Sequence, residues 1–227
     1  MTVEVIQLQP RTSVTPSTPE ITRLAAPGSF GNANISSSQN VTVETGCDLF
    51  ILGVSGYIDL LAPDNAFSGG AITLNGIAPT GICPGDMLGA ASFLGSLFYW
   101  ISPASGLQSL AWTWQGTAVS DGVLFVFASY QGVDTITPER TQDSVQASFE
   151  LRGLASQNGD FLISWADAFN GGVFTWFNPF RVNDFAFGNA SGSLAERPAM
   201  GVENVFTDPA GTVVDGAFMV IAFIPAS

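Results

Sequence analysis

The chain contains no lysine and no histidine, and its basic residues are six arginines: Arg11, Arg23, Arg140, Arg152, Arg181 and Arg197. Without histidine there is no Ser-His-Asp or Cys-His relay and no imidazole on which to build a zinc centre. Without lysine there is no Schiff base and no phosphate-loop ammonium. Charge is scarce altogether, at 11% of residues against the usual ~25%. Cysteine is limited to Cys47 and Cys83, and sequence does not set the distance on which their pairing depends. No apolar run approaches the ~20 residues of a membrane-spanning helix. The first nine residues hold Glu4, no basic residue and no sustained apolar stretch, so they do not read as a secretory leader. The expectation is synthesis in the cytoplasm with reduced thiols. The Asn-x-Ser/Thr triplets at Asn34, Asn40 and Asn189 are then fortuitous.

What is present is acid, aromatic and turn-forming. Nineteen carboxylates against six arginines leave a net charge of −13. That balance argues against nucleic acid and anionic lipid as partners, since both are bound through clustered cations. Hydrophobic residues make up 46% of the chain, with 18 Phe and 5 Trp, ample material for a core. So little charge beside so much apolar surface points to further burial in a homo-oligomer or larger assembly. The 25 Gly and 13 Pro suit short strands and many turns.

Residues 94–138 carry the clearest pattern. In 109–115, Leu110, Trp112 and Trp114 fall on one face and Ala111 and Thr113 on the other, the period of a strand with one buried side. Residues 122–130 are apolar on both faces, as in the middle of a sandwich. Pro103 to Gly106 is a hairpin turn, and Asn75-Gly76 is a strong turn dipeptide. Further strands are read at 41–44, 47–52, 71–74, 145–151, 161–166, 173–177, 200–207 and 216–224. Residues 132–143 read as a polar loop, 178–197 as irregular, and 87–93 as one short helical turn. No segment repeats at a fixed period, and the likeness of residues 99–103 to 175–179 is too short to signal duplication. The fold expected is all-β: an antiparallel two-sheet β-sandwich, jelly-roll-like, with an extended N-terminal arm.

The arm is residues 1–40 and the sandwich 41–227. Residues 11–28 are rich in Thr, Ser and Pro without a period, as in a disordered tail. The admixed Val, Ile and Leu also suit an arm that orders on a partner by strand addition. Its candidate partner contacts are Val3, Val5, Ile6, Leu8, Ile21 and Leu24.

Carboxylates are the remaining source of chemistry. Asp64, Asp86, Asp134, Glu139, Asp160, Asp167 and Asp184 fall at strand ends or in loops, where a pair could form a glycosidase centre. With nineteen acids a chance pair is expected, so no catalytic residue is assigned. Asp134 with Glu139, or Asp64 with Asn65, could hold calcium. No Asp-x-Asp-x-Asp loop occurs, so they read as turn caps and no metal or cofactor is assigned. Most tryptophans are expected in the core. Tyr99, Tyr130, Trp176 and Phe180, near loop ends, are the candidate contacts for a glycan or a protein.

Three stretches together resemble a family of small β-sandwich structural domains of tailed phages, prophages and related particles. They are ITLNG (72–76), SLFYWISPASGLQSLAWTW (96–114) and VLFVFASYQGVDTITP (123–138), the last with Ser129, Tyr130, Gly132, Val133, Asp134 and Pro138 at the family's spacing. Residues 159–168 and 217–226 are similar to the family's later strands. The resemblance covers residues 41–227 and implies a non-enzymatic protein of the virion surface, a capsid-decorating, head-spike or fibre component. It also implies other virion proteins as partners, with the unmatched arm as the anchor. The alternative it allows is a carbohydrate-binding, receptor-recognition module of a tail fibre, with a host glycan as ligand.

Overall fold

The computed structural model describes residues 20–59, 72–85, 92–114, 118–146, 149–169, 174–176, 181–187, 189–209 and 215–227. These residues are all-β, and no helix occurs among them. The first half supplies β1 (Thr22–Arg23), β2 (Gly28–Asn32), β3 (Ser36–Val43), β4 (Leu49–Asp59), β5 (Ile72–Leu74), β6 (Gly81–Pro84), β7 (Ser92–Ile101), β8 (Gly106–Thr113) and β9 (Ala118–Gln131). The second half supplies β10 (Glu139–Gln146), β11 (Glu150–Leu154), β12 (Phe161–Phe169), β13 (Phe174–Trp176), β14 (Arg181–Phe187), β15 (Ala190–Pro198), β16 (Glu203–Pro209) and β17 (Asp215–Phe223).

Each half is a sandwich of its own. In the first, a large sheet ordered β1-β9-β4-β7-β6, with β2 also on β9, faces a small sheet β3-β8-β5. In the second, β10-β17-β12-β15-β14 faces β11-β16-β13. If β1 and β2 are counted as one position, both halves place their eight strands as 1-8-3-6-5 in the large sheet and 2-7-4 in the small one. That is the strand order of a jelly roll, with strand 5 moved to the large sheet. Every pairing is antiparallel. Among the described residues, the expected two-sheet sandwich is therefore four sheets deep.

The two large sheets pack against each other, so three apolar layers fill the stack. The first holds Val41, Leu110, Trp112 and Trp114 against Phe50, Leu52, Phe98 and Phe125. The middle one joins Leu49, Ile51, Leu97 and Val126 to Ile163, Trp165, Met219 and Phe223. The third sets Leu162, Phe218 and Val220 against Leu151, Phe174 and Val205. Strands β4, β9, β12 and β17 are covered on both faces, which explains their unbroken apolar runs: alternate residues enter different layers.

Contacts across the middle layer come in exchanged pairs. Strand β15 touches β4 as β7 touches β12, β15 touches β9 as β7 touches β17, and β14 touches β9 as β6 touches β17. Strands β4 and β12, equivalent to each other, also touch. This is the pattern of a two-fold axis relating the halves. Ladder register gives the residue match. Gly53 is flanked by Leu97 and Val126, as Trp165 is by Leu194 and Met219. The tripeptide Gly-Ser-Leu stands at equivalent places, 95–97 and 192–194.

Several expectations change. Residues 22–40, assigned to the arm, form β1, β2 and most of β3. Ile21 is 2% exposed in the middle core layer, and Leu24 packs half-buried on the first. Residues 92 and 93 belong to β7 rather than a helical turn, while 87–91 lie outside the described residues. The polar loop contains the start of β10, and the irregular stretch contains β14 and β15. Strand β15 escaped detection because Gly, Ser and Ala discourage strands locally. Here their small size is what admits Trp165: a Cβ on Gly192 would stand 2.1 Å from the indole. The turn at Asn75-Gly76 has both residues at positive φ, 52° and 79°, as a type I′ hairpin requires.

Candidate functional site

A cleft of about 420 Å³ opens where the N-terminal edge of the first half meets the second. Glu20, Ile21, Thr22 and Arg23 line one side, and Phe161, Arg181, Glu196, Arg197 and Pro198 the other. Arg23 pairs with Tyr130 across the β1–β9 ladder, so both side chains project from one face of that sheet toward β14 and β15. Arg181 pairs with Glu196 across the β14–β15 ladder. Three of the six arginines thus meet at one junction.

Glu196 is the hub. Its Oε1 accepts from Arg181 Nη1 at 3.1 Å and lies 3.3 Å from Arg23 Nη1. Arg23 Nη1 also donates to Asn183 Oδ1 at 2.7 Å. Side-chain exposure differs sharply: 2% for Glu196, 11% for Arg23 and 62% for Arg181. A carboxylate this buried needs its cations, and removing one partner of such a pair costs ~3–5 kcal/mol. The Tyr130 hydroxyl and Glu196 Oε2 are both buried, and the phenol is hydrogen-bonded to the Glu196 carboxylate. Burial first, and the Glu196 charge second, push the Tyr130 phenol well above its ordinary value. Arg197 is held by Glu203, whose Oε1 accepts from Arg197 Nη1 at 3.2 Å and from the Met200 backbone N–H at 2.7 Å.

The residues expected to touch partners fare differently. Tyr99 and Tyr130 are 3% and 0% exposed, which corrects their reading as surface contacts. Both stand near strand ends, but on the face of the large sheet that the second half covers. Tyr99 meets Phe223 edge-on, with ring centroids 5.3 Å apart. Burial, then the charge of Glu139, raises its phenol pKa. Trp176 is half-buried on Phe218, its indole N–H donating to Ser193 Oγ at 3.0 Å. Phe180, Val3, Val5, Ile6 and Leu8 lie outside the described residues. Trp112 and Trp114 are in the core with Leu110, as the alternation predicts.

Of the acids, Asp160 takes a two-pronged bond from Arg140 at 2.6 and 3.1 Å. Asp134 caps its own turn through the backbone N–H groups of Ile136 and Thr137, which lowers its pKa. Asp167 is wholly buried, its carboxylate accepting from Trp165 Nε1 at 3.0 Å and from the Ala217 backbone N–H at 2.9 Å. Burial raises its pKa well above the carboxylate range. Asp64, Asn65 and Asp86 lie outside the described residues. Among the described residues, no three acids, cysteines or histidines gather as a metal site. Cys47 and Cys83 are free and belong to different core layers. Burial, then the charge of Asp143, pushes the Cys83 thiol up to about 12.

Reading by motif missed the cleft. Each arginine is isolated in sequence, and Arg23 and Asn183 are 160 residues apart. The only sequence signal was the scarcity of cations itself.

Strand order and packing define the class: an all-β protein built of two jelly rolls placed face to face. No family model, no curated protein and no solved structure matches the chain.

Proposed function

We propose that this protein is a non-enzymatic structural component of a phage-like virion, displayed on the particle surface and attached by the segment before Glu20. The observation that carries the reading is the union of two like-ordered jelly rolls through one continuous apolar layer. Such a body is a stiff spacer with its sheets spent on internal packing rather than on a catalytic floor. Jelly rolls serve capsids, lectins and other roles, so fold alone does not choose among them. The choice leans on the resemblance of residues 72–76, 96–114 and 123–138 to virion sandwich domains. In this chain the last stretch ends the first jelly roll and leads into the second. Ser129 Oγ accepts from the Glu44 backbone N–H at 3.2 Å, Gly132 takes a φ of 85°, Val133 bridges to Pro225, and Asp134 caps the turn between the halves. A glycan platform built on Tyr99 and Tyr130 is not retained, since neither ring reaches solvent.

The test is immunogold labelling of particles carrying tagged protein. Gold at repeated positions on the particle, lost when residues 1–19 are deleted from a chain that keeps its thermal transition, is the expected result. Tagged protein found only free of particles overturns the proposal.

A further inference from the structure

We propose that the open edge of β3 pairs with the same edge of a second copy of this chain, joining two small sheets into one about a two-fold axis. The edge of a sheet presents unpaired N–H and C=O groups, and proteins blunt it with charge, proline, bulges or brevity.

Among the described residues, every other edge is blunted in one of these ways. Strand β10 carries Glu139, Arg140 and Asp143 and shifts register between Glu139 and Thr141. Strand β11 carries Glu150 and Arg152 and shifts between Leu151 and Leu154. Strand β14 carries Arg181 and Asp184. Strand β6 has four residues and ends in Pro84, β5 and β13 have three each, and the β1–β2 edge is interrupted at Pro27. Strand β3 has none of these devices. Its eight residues, SSSQNVTV, hold no charge and no proline. They follow β8 in unbroken register from Ser36↔Thr113 to Val43↔Gly106, and among the described residues no strand pairs with their other side.

Alternation fixes which groups face the open side. The Trp114 N–H donates to the Ile35 carbonyl at 2.9 Å. In β3 the odd-numbered residues therefore turn their backbone groups to β8, and the even-numbered ones turn theirs away. Ser36, Ser38, Asn40 and Thr42 thus offer four N–H and four C=O groups to a partner, and all four side chains are exposed. One antiparallel register uses all of these groups. It sets Ser36 opposite Thr42 and Ser38 opposite Asn40, with Gln39 facing Gln39 of the second copy on the axis.

Charge favours a second copy as the occupant. A chain of net charge −13 repels its own kind over most of its surface. At this edge identical strands meet without any charge, and the outward residues of β8 beside it, Leu107, Ser109, Ala111 and Thr113, are uncharged too. Strand β11, which holds the place of β3 in the second half, is charged and irregular. Each copy therefore offers one such edge, and the pairing closes as a dimer instead of running on as a fibre.

One pair of strands is a small interface, below the ~1,200 Å² of standard complexes, so the association is expected to be weak. The experiment is sedimentation equilibrium of the full chain from about 10 μM to about 1 mM, a range suited to such affinities. Reversible monomer–dimer exchange is expected. Asn40→Lys, which places a charge on the edge, is expected to weaken the dimer at least about tenfold with the thermal transition unchanged. A pair such as Gln39 with its own copy, outside the hydrogen-bonded positions, brings Cα atoms to ~4.5 Å, within reach of a disulfide. Cys47 and Cys83 are buried, so a thiol introduced on β3 is the accessible one. With oxidised glutathione, Gln39→Cys is expected to form a covalent dimer readily, and Asn40→Cys, which would face Ser38, is not. A chain that stays monomeric throughout overturns the proposal. So does a dimer indifferent to Asn40→Lys, or cross-linking at position 39 no better than at position 40. All of these measurements use isolated protein, so their outcome is independent of where the protein sits on a particle.

Discussion

Asp167 shows how a single residue is reshaped by its surroundings. It stands on a strand within FLISWADAF, where the sequence suggests a loop-end acid, yet it is 0% exposed. Its equivalent in the first half is Ser55, which shares its register position beside a glycine of the sixth strand. A Cβ on that strand's Gly95 would stand 2.3 Å from the Asp167 carboxylate. The folded state therefore retains a proton that the unfolded chain, with an ordinary value of 3.8, releases. Because the folded pKa is raised, the stabilisation is full below about pH 4 and is lost as pH rises toward the folded value. Melting temperature compared across pH for the wild type and Asp167→Asn checks this. Relative to the variant, the wild type is expected to lose stability with rising pH from the acid side. Parallel curves would show that Asp167 is not the group responsible.

At the scale of elements, β4 and β12 meet at the axis that relates the halves. Trp165 touches its own counterpart, Gly53, where an added Cβ would stand 2.6 Å from the indole. A perfect two-fold could not place two tryptophans there; one chain carrying both halves can place a large residue against a small one. Trp165 also donates to the Val54 carbonyl at 3.1 Å, across 111 residues. Trp165→Ala is expected to cost ~3–5 kcal/mol through the cavity it leaves. Gly53→Ala costs ~1–3 kcal/mol through overpacking. Combined, they are expected to cost at least ~1 kcal/mol less than the sum of the two, because removing the indole removes the clash. Urea unfolding of the four proteins measures this; simple additivity contradicts the contact. The tryptophan was legible as core material, but its partner was not. A glycine between Leu52 and Val54 in sequence gives no sign of what approaches it from another sheet.

At the scale of the whole molecule, the middle apolar layer belongs to both halves at once. Removing one half would expose Leu49, Ile51, Leu97, Val126 and their neighbours, all 0–1% exposed in the intact protein. The halves are therefore expected to unfold together, in one calorimetric transition whose measured and van't Hoff enthalpies agree. Two resolved transitions would mean that the shared layer does not couple them.

The sequence by itself determined that the chain is all-β and where its strongest strands run. It also determined that residues such as 122–130 are covered on both faces. These properties follow from alternation between neighbouring residues and from local turn chemistry at places such as Asn75-Gly76. Only the tertiary structure decided that there are four sheets, that the halves repeat one strand order, and that residues 22–40 belong to the body. It also gathered Arg23, Arg181 and Glu196 at one cleft and removed Tyr99 and Tyr130 from the surface. The physical reason is that a period of two says which residues share a face, whereas what covers that face depends on contacts between distant segments. The shared strand order is matched in sequence by little more than Gly-Ser-Leu at 95–97 and 192–194, because a jelly roll tolerates almost any apolar residue of fitting size at its buried positions.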